Sequence, residues 1–255
     1  MRSTILCLFF LNSFTSAQEY VTIRGQVKWN GSEPPKREAI QSKEFKPTEI
    51  VLKNDILVDE KSLGFKNVLV WLRPDTEDRK DTFPKEQIKP ELQKPKPKHH
   101  VLDVVGWQFE PRAIAARAGD TFEFDSSSKH AHNLNYNSEN ESISPLLPTG
   151  PNFKLKRPLG AQLTPISFTC NIHPWMAGRM RVFDHPYFAV TDADGKFEIR
   201  DAPVGKWRVV YWHEHGFHKG REGILGFPIE LKVDKPGGTT MELKPIPFEI
   251  VKPKP

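Results

Sequence analysis

The sequence predicts an all-β chain, and three observations carry that prediction. Apolar residues alternate with polar ones in short runs, as they do in strands with one buried face. Those runs end at Gly, Pro, Asn or Asp, and the chain carries 23 Pro and 16 Gly among 255 residues. No long stretch holds helical periodicity. The length is generous for one domain and comfortable for two.

Met1–Ala17 reads as a secretory signal. Arg2 gives a positive start, Ile5 to Phe14 is an apolar run too short to span a bilayer, and Thr15-Ser16-Ala17 offers small residues before cleavage. The mature chain then begins at Gln18. It is expected to be exported, periplasmic or secreted, with no membrane span after signal cleavage. Tyr20 to Trp29 (YVTIRGQVKW) alternates as a strand, and Asn30-Gly31 is a turn. A polar, Pro-containing stretch follows, with weaker strand signals at 49–52 and 56–58. Asn67 to Leu72 (NVLVWL) is nearly all apolar, as in a strand buried on both faces. This first part is expected over 18–75. Asp, Glu, Lys and Pro then dominate up to KPKPK, which favours a semi-rigid spacer over 76–98, with His99-His100 as solvated linker.

A second unit is expected over 99–184. Its strands are Val101 to Phe109, Thr121 to Phe124 after a Gly119-Asp120 turn, Thr164 to Thr169, and Met180 to Phe183, with a long polar loop over 137–160. Composition shifts again over 185–248. Phe188 to Ile199 reads as strand, Asp/Gly turn, strand. Trp207 to Trp212 is a strong strand, and 229–233 with 239–243 suggests a last hairpin around Pro236-Gly237-Gly238. Asp192-Ala193-Asp194-Gly195 lacks the downstream Glu of a calcium loop and reads as a turn. Residues 249–255 form a Lys/Pro-rich tail.

The chemistry concentrates in Cys170-Asn171-Ile172-His173-Pro174-Trp175-Met176. A thiol, an imidazole and a thioether at C-x2-H-x2-M spacing are the soft and borderline donors that copper prefers. Signal cleavage removes Cys7 and leaves Cys170 as the lone thiol of an exported chain, a liability that metal ligation or burial removes. A fourth donor lies in Lys129-His130-Ala131-His132-Asn133. Alternation along a strand puts both His on one face, so spacing does not separate them. Zinc fits less well, since Met is a poor zinc ligand and only one Cys is present. A second cluster, His213, His215 and His218 in YWHEHGFH, offers a further metal site against the commoner reading of surface or interface histidines.

Other functions find little support. The formal charge of +5 is modest and its lysines are scattered, which argues against nucleic acid as a partner. No G-x-S-x-G, phosphate-binding loop or hydrolytic carboxylate pair is present. Nine His are few for a multicopper cluster, so the chain is not expected to be an enzyme.

The segments FEPRAIAARAGDTFEF, HNLNY and FTCNIHPWMAGRMRV, between residues 109 and 183, resemble the cupredoxins, Greek-key β-sandwiches of the plastocyanin and amicyanin kind. The short C-x2-H-x2-M loop is nearest the amicyanin type. The resemblance implies one type 1 (blue) copper held by His132, Cys170, His173 and Met176, the first chosen because an Asn follows it. Asn133, Thr169 and Pro174 adjoin these ligands. It also implies electron carriage by Cu(II)/Cu(I) cycling between redox partner proteins. His173 is then expected at the tip, ring edge to solvent, in an electron-transfer surface with Pro174 and Trp175. The segments VTIRGQVKWNG, FKNVLVWL, AVTDADGKFEIRDAPVGKWRVVYW and FPIELKV are similar to the carboxypeptidase-regulatory, transthyretin-like β-sandwich. They stand far apart here, which implies a second, smaller sandwich split by the copper unit. That likeness alone supports a carbohydrate- or protein-binding module as the alternative, and copper storage or delivery is a third reading.

Overall fold

A computed structural model describes residues 19–138, 142–155, 157–233 and 239–251. The signal segment, the Pro236-Gly237-Gly238 turn and the tail from Lys252 lie outside the described residues. Among the described residues, helix is confined to Lys85–Gln87, Pro90–Gln93 and Gly220–Gly223; the regular structure is otherwise strand, as the alternation predicts.

Tyr20–Trp29 is the hub of one layer. It runs antiparallel to Lys196–Pro203 and parallel to Thr240–Glu242 and Ile246–Phe248. Its alternation turns Val21, Ile23 and Val27 inward. Gly205–His213 is the hub of the facing layer, pairing with Leu69–Pro74, Gly216–Phe217 and Phe227–Leu231. Val70, Leu72, Phe197, Trp207, Val209 and Tyr211 fill the space between the layers. Each such side chain contributes about 1.5–3 kcal/mol by leaving water. The apolar run Asn67 to Leu72, most of which lies in the strand Leu69–Pro74, is indeed buried on both faces. Val70 and Leu72 join this core, whereas Leu69 and Trp71 pack with Phe183 and Val210 in a smaller cluster between the two cores.

Residues 99–183 surround a core of their own, with Phe109, Phe122, Phe124, Tyr136, Phe168 and Val182 buried. One sheet runs Gly150–Lys154, Thr121–Ser126, His99–Val105, Gln108–Glu110. The other runs Ala113–Arg117, Ala177–Phe183, Ile166–Thr169, Asn135–Asn137, Ser142–Ile143. At one end the short strand His132–Asn133 pairs with Leu146–Leu147. The polar loop over 137–160 therefore holds short strands, too brief for periodicity to reveal.

Three expectations change. The supposed spacer packs on the first sandwich: Phe83 and Ile88 are buried in its core, and Lys89 donates from its backbone to Tyr187 Oη and from Nζ to Asp201. Exposed runs at 77–82 and 94–98 flank this packed stretch, so the charged composition reports a wet outer side rather than a free tether. His99-His100 opens a strand, with His99 Nε2 on Glu123 and His100 Nε2 on Asp120. The last hairpin is not one: Phe227–Leu231 pairs with Gly205–His213, and Thr240–Glu242 pairs with Tyr20–Trp29 in the opposite layer. Likewise the Asp192–Gly195 turn forms, with Asp192 Oδ1 accepting from the Asp194 and Lys196 amides, but its flanking strands enter different layers. A turn signal fixes a reversal locally and does not fix which sheet the next strand joins.

Candidate metal centre

Ile166–Thr169 ends where Cys170 begins, and Ala177–Phe183 starts just after Met176. The backbone closes the loop between them: Cys170 N donates to Met176 O (3.1 Å) and Met176 N to His173 O (2.9 Å). Asn133 ties this loop to the strand carrying His132. Its Oδ1 accepts from Asn171 N (2.7 Å) and lies 3.4 Å from Cys170 Sγ, while its Nδ2 donates to Ser144 Oγ (2.9 Å).

Three donors converge as a result. His132 Nδ1 and His173 Nδ1 stand 3.0 Å apart, and Cys170 Sγ is 3.6 Å from His173 Nδ1. The ligand atoms of all three residues lie within 4.8 Å of one another. Their relative exposures are 0, 2 and 1% for His132, Cys170 and His173, so the donor set is shut from water. Each imidazole turns its other nitrogen outward to a partner. His132 Nε2 meets Ser128 Oγ at 2.9 Å, and His173 Nε2 meets Glu44 Oε2 at 3.0 Å. Partners of this kind fix ring orientation and leave Nδ1 for a metal. Burial pushes His132 down to about 4, with the charges of His173 and His130 adding to the effect and Glu44 opposing it. The ring is therefore neutral near pH 7, with its lone pair free to bind.

Met176 is buried in the same cluster as Cys170. Met180 faces Ile114 and Ile166 across its strand and serves the sandwich core. His130 is exposed and stacks on Trp107, centroids 3.9 Å apart, outside the converging group. Thr169 Oγ1 accepts from Asn135 Nδ2 (3.4 Å), a link between strands. Pro174 is exposed and Trp175 half-buried.

The expected solvent edge of His173 is covered. Glu44 meets its Nε2, and the rings of Trp107 and Trp175 lie 5.1 and 5.2 Å from its own. A bare patch of His173, Pro174 and Trp175 is thus not what the fold presents. The reason is tertiary: a loop from the first sandwich's part of the chain crosses over the centre. Glu44, Phe45, Trp107 and Ser128 had no motif to mark them.

His213, His215 and His218 do not form a second centre. His213 packs on Phe65 (centroids 4.4 Å), and its buried Nε2 has no hydrogen-bond partner. His215 Nε2 bonds Asp55 Oδ2 (3.1 Å), and His218 Nδ1 accepts from Glu249 N (3.0 Å). Among the described residues, only His132, Cys170 and His173 bring three such donors together.

A cysteine sulfur, two imidazoles and a thioether in the same core cluster suit copper by donor softness. Fold and site thus define an all-β chain with a buried His2Cys centre. No family model matches the sequence, and no curated protein matches it. Among solved structures, it is similar to a purple cupredoxin from Nitrosopumilus maritimus, at 20% identity and a TM-score of 0.27 over 32% of this chain and 97% of that one. A copper-containing nitrite reductase from Thermus scotoductus SA-01 shares 22% identity, TM-score 0.30, over 35% of this chain and 23% of its own. A proline-to-glycine mutant of amicyanin in its oxidised form shares 19%, TM-score 0.29, over 32% and 79%. At these values the functional reading rests on the site's own geometry.

Proposed function

We propose that the chain is an exported copper protein of the type 1 kind, a carrier of single electrons between redox partner proteins rather than an enzyme. The observation that supports this best is the convergence of His132 Nδ1, His173 Nδ1 and Cys170 Sγ in a buried site. His132, Cys170, His173 and Met176 would hold one copper. Copper bound there would supply one-electron exchange through the Cu(II)/Cu(I) couple.

The remaining work falls to the chain itself. Ser128 and Glu44 hold the two imidazoles by Nε2, and Asn133 holds the loop that carries Cys170. A donor set fixed this way moves little when its charge changes. The split sandwich is the scaffold: we propose that 99–184 is inserted between 18–75 and 185–248, since strands of the two flanking parts share both layers of the first sandwich.

Visible and EPR spectra of the copper-loaded, oxidised protein test the reading. Intense thiolate-to-copper absorption is expected, and Cys170→Ser should abolish it. A protein that takes up copper yet never shows that absorption when oxidised would sink the proposal.

A further inference from the structure

The loop over 38–53 belongs in sequence to the first sandwich but lies on the metal centre of the second. Its base is a short ladder, with Ile40 N donating to Val51 O (2.8 Å) and Lys53 N to Glu38 O (2.9 Å). Arg37 reinforces that base by donating from Nε to Lys53 O (2.7 Å). The base is also fixed to the inserted unit, because Asn54 Nδ2 donates to Gln108 Oε1 (2.8 Å). The tip is folded on itself: Glu44 N donates to Ser42 Oγ and Lys46 N to Glu49 Oε2.

Three contacts seat the tip. Glu44 Oε2 lies 3.0 Å from His173 Nε2. The Phe45 ring packs edge-on to Trp107 and Trp175, centroids 5.1 and 5.4 Å away. Glu49 Oε1 accepts from Trp107 Nε1 at 2.6 Å. Edge-to-face aromatic pairs of this kind contribute about 0.5–1.5 kcal/mol each beyond their burial. His173 is 1% exposed beneath them, although Glu44 itself is 48% exposed on the outer side.

We propose that this loop is a cap that belongs to the metal centre, with Glu44 as the positioning residue of His173 and Phe45 as the plug that keeps water and reagents from the donor set. The idea rests on the copper reading for its redox consequence, but the cap's shielding of the donors does not depend on metal. Glu44 holds His173 by Nε2 and so turns Nδ1 inward, and a carboxylate at that place favours the more positive state of whatever His173 binds. Electrons then cross the cap, not a bare imidazole edge.

Two arms test this on the full chain. In the copper-free protein, the rate of Cys170 alkylation by iodoacetamide is followed by peptide mass. Phe45→Ala is expected to raise that rate at least about tenfold, since on this proposal opening of the cap is the route to Cys170. Circular dichroism and thermal midpoint identify any variant that merely unfolds, and Phe45→Leu, which refills the gap, should return the rate to near that of the unaltered protein. Equal rates in the unaltered protein and Phe45→Ala would overturn the cap.

In the copper-loaded protein, Glu44→Ala should raise the reduction potential and change the EPR spectrum, while Glu44→Gln keeps a hydrogen-bond acceptor and should restore the spectrum but not the potential. Identical potentials for all three would overturn the positioning role. Failure of the copper reading would show separately, as absent thiolate–copper absorption beside an intact difference in alkylation.

Discussion

His130 and His132 stand two positions apart, and only the fold separates them. Pairing of His132–Asn133 with Leu146–Leu147 sets His132 under the Cys170 loop, whereas His130 stacks outward on Trp107. His132→Ala should therefore abolish the thiolate–copper absorption, and His130→Ala should leave it in place; loss with both would contradict this assignment. Asn133 is the other residue on which the site turns, because one amide oxygen serves both the Asn171 amide and the Cys170 thiol. Removing it takes away the tie between the His132 strand and the Cys170 loop, a cost of about 1 kcal/mol per hydrogen bond lost, or about 1–3 kcal/mol in all. Asn133→Ala should lower the stability of the copper-free protein by that amount in urea unfolding. The Asn after His132 was readable in sequence, but its bond to Asn171 joins residues far apart in the chain.

Strand Tyr20–Trp29 shows what an element owes to local pattern. Its alternation marks Val21, Ile23 and Val27 as inward before any fold is known. Its neighbours are another matter, because two of its three partners run parallel to it and come from the far end of the chain. The Asp192–Gly195 turn has the same double character. Gly195 sits at φ +72°, and a Cβ there would lie 2.1 Å from Val27 O. Gly195→Ala combines a left-handed conformation with a backbone clash, and should cost about 2–4 kcal/mol. A lower urea midpoint at unchanged slope would bear this out; an unchanged midpoint would refute it. Sequence supplied the turn, and the close approach of Val27 is a fact of packing.

Across the molecule, one buried charge cluster joins segments that are remote in sequence. Arg112 donates from Nε and Nη2 to Glu214 at 2.6 and 2.9 Å, Arg179 stands 3.7 Å from the same carboxylate, and Asn54 Oδ1 accepts from Arg112 Nη1. Arg112 and Glu214 side chains are 7 and 8% exposed. Glu214→Ala strands two guanidinium groups and should cost about 3–5 kcal/mol, whereas replacing Arg112 and Glu214 together by apolar residues should recover much of it. Double-mutant unfolding measurements decide this, and a small loss in Glu214→Ala would count against a structural joint.

Acid sensitivity also belongs to the entire fold. Burial holds His185 and His213 neutral well below 6.5, with Arg181 and Arg117 adding at His185 and His215, Arg112 and Arg179 adding at His213. Their unfolded forms take up protons near pH 6.5, so below that pH the unfolded chain binds more protons than the folded one. Stability should thus fall as pH drops from 7 towards 5. Copper-free protein should melt earlier at pH 5.5 than at 7.5, and His213→Phe should reduce the difference.

Strand content, and the loop that presents Cys170, His173 and Met176, were legible in the residues alone. Those features depend on neighbours within a few positions: alternation, turn chemistry and ligand spacing. Three others needed the folded chain. His132 joins that loop, the histidines from 213 to 218 do not bring three donors together, and Glu44 and Phe45 pack over His173 and its neighbours. Each of these depends on which distant segments pack together, and packing is settled by burial across the whole chain, which no local pattern of residues encodes.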